Sequence, residues 1–272
     1  MSDKRDEFGD RMKAYEDVET LRRLDVALPV YARIDGRCFS KFTRGCAKPF
    51  DGSLHRAMID TTKALVRETH ARIGYTQSDE ISLVWLAEGE GSSIFFDGKV
   101  LKMASVLAGM SSAYFALAIR ERGFGADFEA RAPHFDCRVF QLPSRTESAN
   151  AILWREMDAT KNAIQMATQV HFSPKKLHGK SGAEMIEMLA ETGIDFANYP
   201  AWARHGTFVR RVVVNREMTA DELARIPEKH RPKPGTLIDR TEVVAFNPPS
   251  FRTVTNREGV IFDGETPIEA IA

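Results

Sequence analysis

Val30-Tyr31-Ala32-Arg33-Ile34-Asp35-Gly36-Arg37 is the stretch on which the fold turns. Val30, Ala32 and Ile34 alternate with Tyr31 and Arg33, the period of a half-buried strand, so Asp35 leaves the sheet at a strand end followed by a glycine. A second acid is placed in a similar way. Ile73 and Tyr75 precede Gln77-Ser78-Asp79-Glu80, and Ile81, Leu83 and Trp85 alternate after it, so the tetrapeptide reads as a β-hairpin tip carrying Asp79. Between the two lies a stretch with Leu54, Met58, Leu65 and Val66 on one side, an amphipathic helix over about 53–72 capped by Asp51 or Ser53.

Two strands joined through a helix lie parallel in one sheet, which brings both ends to one edge and the two carboxylates within bridging distance. Carboxylates forced together repel unless a cation is present, and two-metal phosphoryl-transfer sites hold their ions about 3.5 to 4 Å apart. Taken singly, each acid has the plainer role of stabilising a turn. A helix over 101–121 and a strand over 135–141 complete a βαββαβ order with an antiparallel hairpin, the ferredoxin-like arrangement of an α+β protein. A helical region from about 147 to 192 and a strand-like stretch at 207–214 follow. Five of the 12 prolines fall between Pro227 and Pro249, which reads as loop or linker with short strands.

With 272 residues, 43% of them hydrophobic, the chain can bury a sizeable core. Its 38 Lys and Arg balance 38 Asp and Glu, so no global field draws nucleic acid and any such partner must be met by local patches. Lys175, Lys176 and Lys180 cluster around His178, and Arg204, Arg210, Arg211 and Arg216 along the next strand-like segment. Cys38, Cys46 and Cys137 show no metal-binding spacing and point to a reduced, cytoplasmic setting. Met1 to Asp10 is charged and has no apolar signal core. The uncharged run Met103 to Ile119, with its serines and Gly109, is expected to be a buried helix rather than a membrane span.

Arg33-Ile34-Asp35-Gly36-Arg37-Cys38-Phe39-Ser40-Lys41-Phe42 resembles the R-[IL]-D-G-R-x-F-x-[RK]-F segment of the tRNA-His guanylyltransferase family and its 3′-to-5′ polymerase relatives. Ala47-Lys48-Pro49 is similar to its A-K-P, Gln77-Ser78-Asp79-Glu80 to its Q-S-D-E, and Phe135-Asp136-Cys137-Arg138-Val139 to its F-D-x-R-V. Trp154-Arg155 with Asp158 and Asn162 resembles W-R-x-x-D-x-x-x-N, and Arg204-His205-Gly206-Thr207 resembles R-x-G-T. Six matches in the family's order are hard to attribute to chance. The resemblance implies a polymerase-type palm over residues 1–145 and a helical and strand lobe over 146–220 completing the RNA and nucleotide site; it stops near residue 216, and the prolines mark 221–272 as a Pro-containing C-terminal segment.

The resemblance also implies a chemistry. Asp35 and Asp79 are the expected catalytic acids and, with the Gly36 carbonyl, the ligands of two or more Mg2+ ions. Arg37, Cys38, Phe39 and Ser40 are expected along the incoming nucleotide through backbone N–H groups, Ser78 near its phosphates, and Lys48, Lys99, Lys102 and Asn162 as further nucleotide ligands. Lys175, Lys176, Lys180, Arg204 and Arg210 are the expected RNA contacts. Glu80 is expected to face away from Asp79 and to support rather than ligate, and Trp154 to anchor the core. ATP and GTP are the implied substrates, tRNA the implied partner, and a homo-oligomer, dimer or tetramer, the implied assembly, with no membrane.

One departure bears on the reaction. Eukaryotic members show H-I-N-N where this chain has Thr160-Lys161-Asn162-Ala163. This favours the branch that repairs truncated tRNA 5′ ends on a template over dedicated guanylate addition to tRNA-His. The competing readings are a palm-type nucleotidyl cyclase acting without RNA and a non-catalytic RNA-binding palm.

Overall fold

A computed structural model of the chain describes residues 7–89 and 91–270; the charged start read from Met1 to Asp10 lies partly outside the described residues. The chain opens with α1 (Glu7–Thr20), β1 (Val30–Gly36), α2 (Phe39–Phe42), α3 (Gly52–Thr69), β2 (Ile73–Gln77) and β3 (Glu80–Trp85). It continues through α4 (Val100–Glu121), α5 (Ala126–Glu129), β4 (Phe135–Gln141), α6 (Arg145–Gln169), α7 (Pro174–Leu177) and α8 (Gly182–Glu191). The last elements are α9 (Ala201–His205), β5 (Thr207–Arg216), α10 (Ala220–Ala224) and β6 (Ile238–Phe246).

Among the described residues the strands form one six-stranded sheet in the order β4-β1-β3-β2-β5-β6. The first four follow the ferredoxin-like order expected, with β3 antiparallel to both β1 and β2. β1 and β2 therefore run the same way, and the end of β1 and the β2–β3 turn meet at one end of the sheet.

The pleat sorts the side chains into two cores. Val30, Ala32, Ile34, Ile81 and Leu83 face α3 and α4 and are fully buried. Gly74 lets α3 close on the sheet, since a Cβ there would fall 2.7 Å from Thr62 and 2.9 Å from Val66. Asp51, not Ser53, caps α3: its carboxylate accepts from the Ser53 and Leu54 amides. α4 is long and apolar enough to cross a membrane by length and composition, and one face of it, through Met103, Leu107 and Phe115, is core to the sheet. Its outer face, including Leu101 and Leu117, is exposed, so the helix is buried on one side only.

Tyr31, Tyr75, Val84 and Phe208 point the other way, against Ala149 and Ile152 of α6 and against Phe251, Val260, Ile261 and Phe262. The C-terminal stretch, expected as loop or linker with short strands, contributes one nine-residue strand, β6, and part of this second core. β5 hydrogen-bonds to β2 and β6 to β5, so residues assigned to three segments share one sheet. A third cluster, from Ala163, Ile164 and Ala167 to Leu177, Met185, Leu189 and Phe196, knits the end of α6 to α7 and α8.

Candidate active site

Asp35 is the penultimate residue of β1, and in register it stands opposite Glu80 of β3 and Asp136 of β4. Directly paired residues share a sheet face, so these three acids and Arg33 look toward α6. Asp79 sits in a two-residue hairpin turn with Ser78, whose φ of 48° is the left-handed conformation that such tight turns require. The Gly36 amide donates to the Asp79 carbonyl at 3.1 Å, fixing the turn against the end of β1. A Cβ on Gly36 would lie 2.9 Å from the Asp79 carboxylate and inside the Phe39 ring, so only glycine admits this approach.

A cleft of about 350 Å³ opens here, lined by Arg33, Asp35, Gln77, Ser78, Asp79, Glu80, Arg155, Asp158 and Asn162. Burial and the facing Asp35 carboxylate push Asp79 up to about 6 from an ordinary value of 3.8, while the Ser78 hydroxyl, donating to it at 3.1 Å, pulls the other way. Asp35 is raised too, first by burial and then by Asp136. Two partly desolvated carboxylates whose ionisation is opposed by burial and by neighbouring acids, beside a strand-end carbonyl, are a hard-oxygen donor set suited to a divalent cation. Among the described residues no group of three or more His, Cys, Asp or Glu side chains is arranged to hold a metal, so the set is this pair with main-chain oxygen.

Glu80 shares the Asp35 face, contrary to the expected flip, because Asp79 lies in the turn and not in the strand. Its carboxylate is occupied: Arg155 binds it with two hydrogen bonds of 2.6 and 2.7 Å, and Arg155 also reaches Asp158 at 2.9 Å. Both Glu80 and Arg155 are buried, and the fork locks α6 to the floor of the cleft.

The structure gathers some expected residues and separates others. Asn162 lies in the cleft, one turn of α6 beyond Asp158. Lys48 is exposed on a loop that Asp51 ties down by accepting from the Ala47 amide at 2.9 Å. Arg37, Lys41, Arg131 and His134 line a neighbouring pocket of about 230 Å³ together with Cys38 and Phe39. Ser40 and Cys38 are exposed, Cys38 with φ 56°. Phe39 turns its ring into the core, 5.1 Å from Phe42, and the Arg37 amide is taken by the His134 carbonyl at 2.8 Å.

Lys99 and Lys102 are not brought to Asp35. Lys99 caps the start of α4, which is bonded to residues 22–24, beside the beginning of β1. The site lies at the other end of that strand, about 20 Å away at 3.3 Å per residue. Arg210 stands opposite Ile73, also at the far end, and its guanidinium holds the carbonyls of Gly264 and Glu265. Arg204, on α9, donates to the Tyr199 carbonyl just before that helix. Lys180 pairs with Glu184 at 2.8 Å, while Lys175 and Lys176 remain exposed on α7. Arg33, Arg155 and Asp158, motif residues to which the sequence assigns no role, join the lining of the cleft.

The family model described as tRNAHis guanylyltransferase matches residues 9–143. A solved structure described as "Bacterial tRNA(HIS) Guanylyltransferase (Thg1)-Like Protein in complex with ATP" is 35% identical, with a TM-score of 0.70 over 75% of this chain and 87% of that one. A second, of such a bacterial protein in complex with GTP, is 30% identical with a TM-score of 0.66, covering 88% of this chain and 91% of that one. A Drosophila melanogaster protein described as a probable tRNA(His) guanylyltransferase is 28% identical over 214 residues, 72% of this chain and 73% of the fly protein. The likeness therefore extends past the strands that carry the two acids and across the helical lobe, and the chain belongs to the tRNA-His guanylyltransferase family, nucleotidyltransferases acting on the 5′ end of tRNA.

Proposed function

We propose that this protein extends tRNA at its 5′ end in the 3′-to-5′ direction, restoring truncated ends against the opposite strand as template. The observation that carries the reading is the Asp35–Asp79 pair, closed over Gly36 at one end of the sheet. A binding module for phosphate gains nothing from two acids facing its ligand. ATP and GTP, bound by the two bacterial relatives, are the substrates proposed here.

The reaction has two steps. An oxygen of the RNA 5′-monophosphate attacks the α-phosphorus of ATP and releases pyrophosphate; the 3′-hydroxyl of the incoming nucleotide then attacks the activated 5′ phosphorus and displaces AMP. Asp35, Asp79 and the Gly36 carbonyl would hold Mg2+, which when bound neutralises triphosphate charge and assists attack at phosphorus. Arg33 brings a fixed positive charge to the Asp35 side of the cleft. Ser78, now donating to Asp79, stands where a phosphate oxygen can take its hydrogen bond. The Arg37, Lys41 and Arg131 pocket offers charge for a triphosphate tail.

Two observations support the repair branch. Thr160, where eukaryotic members begin H-I-N-N, turns away from the cleft and donates to the Arg204 carbonyl at 3.0 Å. The identity of 35% and 30% to the bacterial Thg1-like proteins also exceeds the 28% to the fly guanylyltransferase. A homo-oligomer belongs to the same proposal: Phe8, Met12, Tyr15 and Val18 stand exposed on α1, and Leu101 and Leu117 on α4.

The test is incorporation of labelled GTP or UTP into 5′-monophosphorylated tRNA with ATP and magnesium, comparing intact tRNA-His with tRNAs lacking their first nucleotide. Extension of truncated tRNAs only, following the template, is the expected result. Addition to intact tRNA-His alone overturns the repair branch, and labelled product from nucleotide without RNA overturns the polymerase reading in favour of a cyclase.

A further inference from the structure

Trp154 does not anchor the core. It is 55% exposed, on a helix whose neighbouring residues line the acid cleft. Its indole is propped in place by two guanidinium groups, that of Arg155 at 4.5 Å from the ring centroid and that of Arg33 at 5.7 Å. Both arginines belong to the cleft lining, and Arg155 is itself held by Glu80 and Asp158. Along α6, Trp154, Asp158 and Asn162 recur every four residues, so one stripe of the helix carries the indole one turn before the cleft's carboxylate and amide.

The strands supply the rest of the surface. Arg138 of β4 is directly opposite Arg33 of β1, so it shares the sheet face that looks toward α6. β4 is the edge strand, and the Arg138 side chain is 55% exposed, with Asp136 at 3.6 Å as its ion-pair partner. An exposed indole beside two strand arginines, next to acids suited to phosphoryl transfer, combines the two elements that single-stranded and end-recognising nucleic-acid sites use: a stacking platform and guanidinium groups for phosphate.

We infer that Trp154 is the platform on which the terminal base of the RNA 5′ end stacks, with Arg33 and Arg138 meeting the adjoining phosphates. The inference deepens the proposed function and rests on that reading. It assigns the indole to the RNA and not to the base of ATP or GTP, which is an alternative source of the same aromatic chemistry. Stacking of one base on an aromatic side chain corresponds to roughly a five- to hundredfold change in affinity.

The experiment uses the whole protein and an acceptor-stem RNA hairpin with a 5′-monophosphate. Trp85 is buried and Trp202 is half-buried against His55, so only the part of the emission change that is present in the wild type and lost in Trp154→Phe reports the Trp154 indole. The expected result is quenching by the RNA and not by ATP or GTP alone, a tenfold or larger rise in KM for RNA in Trp154→Ala with KM for GTP within twofold, and substantial rescue in Trp154→Phe. Quenching by nucleotide alone, with KM for GTP rising instead, overturns the inference in favour of a nucleotide platform. Unchanged KM values with no quenching overturn it in favour of an incidental surface residue. A wild-type protein that neither binds nor extends the RNA defeats the proposed function itself, and is told apart because it fails before any substitution is made.

Discussion

At neutral pH the Asp79 carboxyl carries a charge that its surroundings oppose. Its folded value of about 6 lies above the ordinary 3.8, so the stabilisation it offers is complete below pH 4 and lost as pH rises through 6. Asp79→Asn keeps the shape and removes the charge. In EDTA at pH 7.5 the variant should be more stable than the wild type by about 1 to 3 kcal/mol, the difference shrinking toward pH 5, while nucleotide incorporation falls at least a thousandfold. Denaturant titrations at the two pH values, beside a turnover assay, check both halves. Gly36→Ala should be as inactive without the gain in stability, because its Cβ has no space between Phe39 and Asp79; its melting temperature should fall.

His55 works in the opposite sense. It is buried on α3, its ring stacked 4.4 Å from Trp202 with Nε2 at 2.9 Å from the Thr207 hydroxyl, and burial holds it down at about 4 from 6.5. A base depressed in the folded state favours folding above pH 6.5 and withdraws that support as pH falls to 4. Stability should drop over this window by roughly 3 kcal/mol from His55 alone. In His55→Phe, urea midpoints measured from pH 7 to pH 4 should lose that component of the slope.

The elements are joined at the site by charge as well as by apolar contact. The Arg155 guanidinium is the link between α6 and β3, and removing one partner of a buried pair leaves the other without compensation. Arg155→Met should cost about 3 to 5 kcal/mol by chemical denaturation, and adding Glu80→Gln should restore part of it. The same scale shows what the sequence carried and what it hid. The alternation around Asp35 and Asp79 specified β1, β2, β3 and their common end, since the burial pattern of a strand is written in every second residue. β6 was obscured because prolines at 227, 232, 234, 248 and 249 bracket it while 238–246 contains none. The position of Lys99 and Lys102 follows from the strand order: β3 starts at the site, so it ends at the far side of the sheet, and the helix that follows begins there. Trp154 gave no signal, because spacing on a helix does not state which neighbours cover a residue.

Over the whole molecule, the sheet and its second core make the C-terminal residues part of the catalytic fold. The buried Glu156 carboxylate accepts from the Phe251 amide at 2.7 Å and from the Ser250 hydroxyl at 2.9 Å, so the chain after β6 is fastened to the helix that carries the cleft. A protein ending at Thr219 would expose Phe208 and Tyr75 and leave Glu156 buried without these donors. It should be insoluble or lack the cooperative thermal transition of the full protein, which calorimetry checks.

α6 runs unbroken for 25 residues, about 37 Å. Its first half is packed into the sheet, its middle carries Arg155, Asp158 and Asn162, and its last turns hold α7 and α8. With no hinge between them, the outer lobe and the catalytic floor are two ends of one lever. A displacement of the outer lobe is therefore carried along the helix to Asn162 and Arg155 at the cleft.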